Sequence, residues 1–428
     1  MPGIKIEFEE YQLPNGLHVI LHQDRQIPIV AINLWYRVGS RNERPGKTGF
    51  AHLFEHMMFQ GSQHVPPEMH FQLIQSVGGT LNGSTYFDRT NYYETLPSHY
   101  LEMGLWLESD RMGFLLPALN EEKFRTQLEV VKNERRQRYE NQPYGLWLEK
   151  ILELAFPADY PYHWPVIGYM SDLEKATLDD IRQFFKTYYA PNNASLVLSG
   201  DFDVMQAKKL IEQYFAEIPP YENIPPVNKH FSAYNQGEKL SEIHDHVQLP
   251  RLHFAYHLPG ISSSEVYHGD FIASVLNGGK SARFIQKLVR QKQIVQDIQT
   301  FVLPMIDTSL FFIVATPKPD QSIEDIRREI DEEMERILNE PITQQEMERV
   351  KNQIIAQKVR ELQSVSVRAD LLNMYYTYYQ NANHLNEEID VYMNITPDDL
   401  MSTAQKFLTP QNRVGVIYLP EKKEQRLK

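Results

Sequence analysis

The sequence predicts an α+β protein: two homologous domains, each a mainly antiparallel sheet covered by helices, joined by an extended linker. Three observations carry that prediction. The first is a repeat. The stretches "TLDDIRQFFKTYYAPNNASLVL" from Thr177 and "TPDDLMSTAQKFLTPQNRVGVI" from Thr396 lie 219 residues apart. They share a Thr-x-Asp-Asp opening, a helical middle, Pro191 with Pro410, Asn193 with Asn412, and a closing β-rich run. The same offset aligns Leu119-Asn120-Glu121 with Leu338-Asn339-Glu340, and "EVVKNE" from Glu129 with "ERVKNQ" from Glu348. A single gapless register over about 80 residues marks a duplication into domains of about 200 residues. The second observation is "EIPPYENIPPVNKHFSAYNQGEK", which is proline-rich, polar and aperiodic. It reads as an extended linker over residues 217–239. The domains are therefore expected at 1–216 and 240–428. The third is the alternation of strand and helix periodicities within each half.

Along the first half, Leu17 to Val38 reads as two paired strands with a turn near Arg25-Pro28. A helix follows around His52–Gln60, then another from about Pro67 to Val77, stopped by Gly78-Gly79. The polar-alternating "GTLNGSTYFDRTNYYETLP" reads as a hairpin, in which Asn82-Gly83 admits a simple tight turn. Long amphipathic helices run from Pro97 to about Glu153, and a third helical group from Thr177 leads into the strand "NASLVLSGDF".

Bulk properties narrow the function. The chain of 428 residues suggests two to four domains, and 42% hydrophobic, 11% aromatic and 23% charged residues describe a globular protein. The net charge of −13 disfavours nucleic acid or an anionic membrane as the main partner, since both require a basic face. The basic run "VKNERRQRYEN" is interleaved with acids and reads as a solvated helix face. The aromatic run "MYYTYYQNANHLN" reads as core and interface packing. Without cysteine there is no disulfide, thiolate ligand or cysteine nucleophile. No apolar run reaches the roughly 20 residues of a membrane span, and the opening "MPGIKIEFEEYQLPNG" has no apolar signal core. A cytoplasmic location is expected, or a periplasmic one if a leader has been removed.

The chemistry concentrates in "TGFAHLFEHMMFQGS". On a helix, His52 and His56 lie about 40° apart around the axis and Glu55 about 60° to the other side of His52, so one face carries all three. Two imidazoles at i and i+4 can chelate one zinc ion while the glutamate stands beside it, the inverted His-x-x-Glu-His order. A pair of histidines on a helix is also a common surface or core feature. The repeat weighs against that bland reading: at the 219-residue offset His52, Glu55 and His56 meet Phe271, Ser274 and Val275. Glu134 meets Gln353, which makes it the best third ligand: its counterpart is neutralised in step with the histidines.

With these motifs in view, the chain resembles the pitrilysin-type, insulinase-like zinc metallopeptidases, the group that includes the mitochondrial processing peptidase. The resemblance runs through "LPNGLHVILHQD", "YRVGSRNERPGKTGFAHLFEHMMFQGS", "GGTLNGSTYFDRTNYYETLP", "VVKNERRQRYEN", "PVIGYMSDLEKATLDDIRQFF" and "ITPDDLMSTAQKFLTPQNRVGVIYLP", nearly the whole chain. It implies a zinc metalloendopeptidase of the short two-domain branch, whose active particle is a dimer enclosing a chamber that favours short or unfolded peptides. It makes His52, His56 and Glu134 the zinc ligands and Glu55 the general base. It makes the strand carrying Asn82 and Gly83 the edge on which substrate lies as an added β-strand.

Two positions depart from the family pattern. A glutamate usual seven residues before the ligand glutamate is here Gln127, which reduces the charge around the metal ligands. An arginine and, seven residues on, a tyrosine that contact substrate are here Val289 and Gln296, with Arg290 adjacent but about 100° out of phase on an α-helix. The resemblance then implies a heterodimer whose homologous partner supplies that pair, with a homodimer as fallback. A non-catalytic scaffold, or a relative that captures extended peptides without cutting them, is the alternative.

Overall fold

The computed structural model describes residues 5–227 and 230–421. The expected outer bounds 1 and 428, and linker positions 228 and 229, lie outside the described residues. The strands are β1 (Glu9–Gln12), β2 (His18–Gln23), β3 (Ile29–Tyr36), β4 (Thr80–Thr85), β5 (Thr90–Pro97), β6 (Ala194–Gly200), β7 (Lys239–Asp245), β8 (Arg251–Pro259), β9 (Val295–Leu303), β10 (Thr308–Pro317) and β11 (Arg413–Pro420). The helices of the first half are α1 (Phe50–Met57), α2 (Met69–Ser76), α3 (Leu101–Phe114), α4 (Glu121–Arg135), α5 (Trp147–Ala155), α6 (Met170–Leu173), α7 (Leu178–Tyr188) and α8 (Val204–Phe215). Those of the second are α9 (Ser264–Asn277), α10 (Ile323–Asn339), α11 (Gln344–Glu361), α12 (Val365–Tyr379), α13 (His384–Asn394) and α14 (Pro397–Phe407).

The strands form two mainly antiparallel sheets, ordered β1-β2-β6-β3-β5-β4 and β7-β11-β8-β10-β9. The second order repeats the first without β1, and each sheet has a single parallel pair, β2 with β6 and β7 with β11. The expected pairing of β2 with β3 does not occur. β6 lies between them, with Val19 opposite Leu196 on one side and Val30 opposite Gly200 on the other. All seven residues of β6 are buried, so its backbone groups need a neighbour on both edges, a demand that alternation within residues 17–38 cannot reveal.

The repeated Thr-x-Asp-Asp is a repeated helix start. In α7 the Thr177 hydroxyl accepts from Asp180 N–H at 3.2 Å and the Asp180 carboxylate accepts from Thr177 N–H at 3.1 Å. Thr396 and Asp399 do the same for α14, at 3.2 and 3.0 Å. Each reciprocal cap is worth about 1 kcal/mol. The repeated asparagines are likewise matched: Asn193 donates to Tyr188 O at 2.9 Å and Asn412 to Phe407 O at 2.7 Å, each tying a helix end to the strand that follows.

The chain divides into two compact units that are discontinuous in sequence. One comprises Met1–Arg135, Trp164–Asn228 and Gln357–Glu388; the other Arg136–His163, Lys229–Ala356 and Ile389–Lys428. Each half of the sequence therefore lends the other unit a helical segment. α12, from the second half, covers β3 and β6 in the first unit, while α5, from the first half, covers β8 and β11 in the second. The sequence repeat and the compact unit are thus different divisions of the chain.

In the first unit α12 packs Ala369, Leu372 and Tyr375 against Ile20, Ala31 and Val197. Asp370 fixes it in register: its Oδ1 accepts from Asn33 Nδ2 (3.1 Å), Trp35 Nε1 (3.0 Å) and Asn91 Nδ2 (3.1 Å). The opposite face of the sheet, with Ile32, Glu94 and Leu96, meets α3 at Gly104. β3 is therefore covered on both sides, as its near-continuous apolar run requires. In the second unit Trp147 of α5 stacks on His253 at 5.0 Å and packs edge-on against Phe312. Residues 230–238 of the linker carry no helix or strand, yet Phe231 is buried there against His257. Among the described residues no helix is long and apolar enough to cross a membrane.

Candidate metal centre

α1 is short and starts without a cap of its own. Gly49, at φ 82°, precedes it in the left-handed region and offers no side chain. A Cβ at Gly49 would lie 2.6 Å from Ile167 O, so glycine is required there on two counts. Glu43, six residues upstream, supplies the cap instead: its Oε2 accepts from Gly49 N–H at 2.9 Å and its Oε1 from Ala51 N–H at 2.7 Å. The carboxylate stands at the positive end of the helix. Leu53, Phe54 and Met57 are buried, with Phe54 against Phe184, Phe185 and Tyr189. The polar stripe His52, Glu55 and His56 is left on the other side.

α4 brings Glu134 to that stripe. The Nε2 atoms of His52 and His56 lie 3.8 and 3.4 Å from the same carboxylate oxygen, Glu134 Oε2, and the imidazole centroids are 4.9 Å apart. One ligand atom from each residue falls within 4.8 Å of the other two, and all three side chains are only partly buried. Two imidazole nitrogens and a carboxylate oxygen converging on one point are a donor set suited to zinc with a position left open.

Glu55 is held from the strand side. Thr85 Oγ1 donates to Glu55 Oε2 at 2.6 Å, and a Cβ at Gly83 would lie 3.2 Å from Glu55 Cγ and Oε1. Burial pushes the Glu55 carboxyl up; the Thr85 hydroxyl, His56 and Arg89 pull it back. β4 is the last strand of its sheet, so its outer edge carries no partner strand among the described residues. Asn82 and Gly83 lie in the middle of β4, opposite Tyr93 and Tyr92, which excludes the tight turn; the chain reverses at Tyr86–Arg89. By strand alternation Asn82 projects from the face opposite Gly83 and Glu55, and its Oδ1 accepts from Gly83 N–H at 2.9 Å.

Gln127 sits two turns before Glu134 on the same face of α4, partly buried. Arg135, expected on a solvated face with its basic neighbours, is buried and donates to Gly168 O at 2.6 Å. In the second unit Val289 and Arg290 lie in a π-helix, Ile285–Gln291, so the α-helical phase difference assigned to Arg290 does not apply there. Gln296 is exposed on β9. The sequence reading missed Glu43 and Thr85. A glutamate a few residues before an uncapped helix was the only available sign of the first, and the second depends on strand placement.

A family model described as insulinase (peptidase family M16) matches residues 18–161, and one described as the M16 inactive domain matches residues 175–354. A zinc protease PqqE of Helicobacter pylori is 27% identical over 415 residues, covering 96% of this chain and 93% of that one. A probable mitochondrial-processing peptidase subunit beta of Arabidopsis thaliana is 23% identical over 322 residues, covering 72% and 59%. The crystal structure of a protease from Helicobacter pylori superimposes with a TM-score of 0.92 at 27% identity, over 97% of this chain and 100% of that one.

Proposed function

This chain belongs to the insulinase (M16) peptidase family, and from that premise we propose that it is a zinc metalloendopeptidase cleaving short or unfolded peptides held as an added strand on β4. The observation that carries the proposal is the position of Glu55, between the His52–His56–Glu134 donor set and the outermost strand of its sheet.

His52, His56 and Glu134 would hold the ion, and Gln127 leaves their surroundings less anionic. A zinc ion bound there supplies Lewis acidity to water and to a peptide carbonyl. Glu55 takes the proton of the attacking water and returns it to the leaving amine. Thr85 fixes which of its oxygens is presented. The backbone of β4 around Asn82 and Gly83 pairs with the peptide main chain, so side-chain identity matters little along that strand. Gly83 keeps the strand close over the base.

The second half lacks a counterpart of the metal set, and Val289 and Gln296 offer no cationic or phenolic group to steady a substrate carbonyl. The active particle in this reading is a heterodimer with a homologous subunit that provides an arginine and a tyrosine; the homodimer binds peptide weakly. Incubating the chain, with and without such a subunit, with an unfolded peptide and reading the products by mass spectrometry tests the proposal. A metal-loaded protein that binds the peptide and never cuts it would leave the peptide-capturing relative as the correct reading.

A further inference from the structure

Behind β4, on the side of the sheet facing α3, lies a second cluster of ionisable groups that the chemistry above does not use. His70 of α2, Glu94 of β5 and Glu108 of α3 place one ligand-type atom each within 4.8 Å of one another, and all three are buried. His70 Nε2 is 3.7 Å from Glu94 Oε2 and 4.0 Å from Glu108 Oε1. Arg111 grips Glu108 with two donors, Nε at 2.9 Å and Nη2. No donor reaches His70 Nε2 or either carboxylate oxygen of Glu94, whose fully buried side chain lies in hydrogen-bonding range of Glu108. Such groups are rare in a folded protein and need an occupant.

Charge decides which occupant. Burial, reinforced by Arg111, pushes the His70 pKa well down, toward the neutral imidazole. Glu94 and Glu108 against Arg111 then leave one negative charge sealed from water. A water molecule would not remove it, and a divalent cation would overshoot it beside a guanidinium. One proton cancels it. We infer that Glu94 and Glu108 share a single proton, forming a pH-sensitive lock beneath the strand that is read here as the substrate-binding edge. Among the described residues the other titratable groups facing the cluster are Tyr92 on β5, Tyr36 on β3 and Tyr189 beside both, all driven upward by burial and hence neutral. Burial, then Glu108, pushes the Glu94 carboxyl well up.

The connection to β4 is direct. Glu94 is paired with Leu81, the residue before Asn82. Phe59 packs against both His70 and Tyr92, lies 5.2 Å below the Arg111 guanidinium, and would touch a Cβ at Gly83 at 3.2 Å. Ionising Glu94 sets two carboxylates against each other in a dry pocket whose wall supports the edge strand.

The consequence for cleavage rests on the proposed function; the proton itself does not. Because the folded pKa of Glu94 is raised, the folded state binds an extra proton above the ordinary carboxylate range. Stability therefore falls as pH rises toward the folded value, by about tenfold in the folded-to-unfolded ratio per pH unit for one proton. Glu94→Gln, which keeps a donor toward Glu108 without a charge, should remove that slope. Infrared difference spectra near pH 7 should show a protonated-carboxyl band in the wild type that Glu94→Gln lacks. The KM for peptide should rise with pH over that same range in the wild type and stay flat in the variant. Absence of the wild-type band overturns the inference even if the variant does not fold. So does an unchanged slope in a folded variant, or a metal ion retained in His52→Ala and lost on adding His70→Ala. If the chain cuts no peptide at all, the infrared and unfolding measurements still decide the proton, and only the functional reading fails.

Discussion

The hydroxyl of Thr85 donates to Oε2 of Glu55 at 2.6 Å, joining the outermost strand of the first sheet to the helix that carries both histidines. The proposed base and the proposed substrate edge are therefore one mechanical unit, and perturbing either should be felt at the other.

Metal content is the first expected outcome. Purified protein should carry one zinc ion per chain, removed by a chelator together with activity. His52→Ala and His56→Ala should each lose both, and Glu134→Gln should weaken binding strongly by replacing an anionic ligand with a neutral one. Elemental analysis beside a peptide assay checks this; a folded wild type free of tightly bound metal refutes it.

Glu55→Gln should keep its metal and lose turnover by about 10²–10⁴-fold, because an amide cannot accept the proton. Zinc lost while chemistry persists would exchange the roles of Glu55 and Glu134.

Gly83→Val should leave metal content unchanged and lower kcat/KM on the order of 10²-fold, since a side chain at that position pushes on Glu55 and Phe59 and shifts the base. A fully active valine variant would mean that β4 yields freely at Gly83.

Glu43→Ala should cost about 0.5–2 kcal/mol of stability, the range for losing a helix N-terminal cap. The ion should then dissociate at lower chelator concentration, with Glu43→Gln intermediate because one acceptor oxygen remains. Thermal unfolding and a metal-competition titration read the two effects separately.

Isolated chain should cleave a flexible peptide slowly, and adding a homologous subunit with the arginine–tyrosine pair should raise the rate sharply. Val289→Arg with Gln296→Tyr should raise it in the isolated chain as well. Full turnover by the chain alone, unimproved by any partner, contradicts the heterodimer.

Local grouping of side chains was legible in the sequence and long-range pairing was not. His52, Glu55 and His56 share a face because helix geometry alone puts them there, and Glu134 was found through its neutral counterpart Gln353. Thr177 and Thr396 announced their helices through a four-residue pattern. Thr85 stayed hidden because its contact requires β4 to cross α1, and the neighbours of β2 were misread because an inserted strand leaves no mark on the strands it separates. The cluster at His70 was invisible for the same reason: its members come from three elements, and only packing brings them together.

The exchange of α5 and α12 between the two units bears on how the molecule is born. A ribosome releasing this chain cannot finish the unit that carries His52 and His56 when the first half has emerged, because the helix that covers β3 and β6 is encoded after residue 364. An early nascent chain must carry β3 with one face bare, a state prone to aggregation or chaperone capture. The same arrangement means that a cut in the linker should yield two fragments, each lacking a helix that the other holds. They should recover structure only when mixed, by complementation.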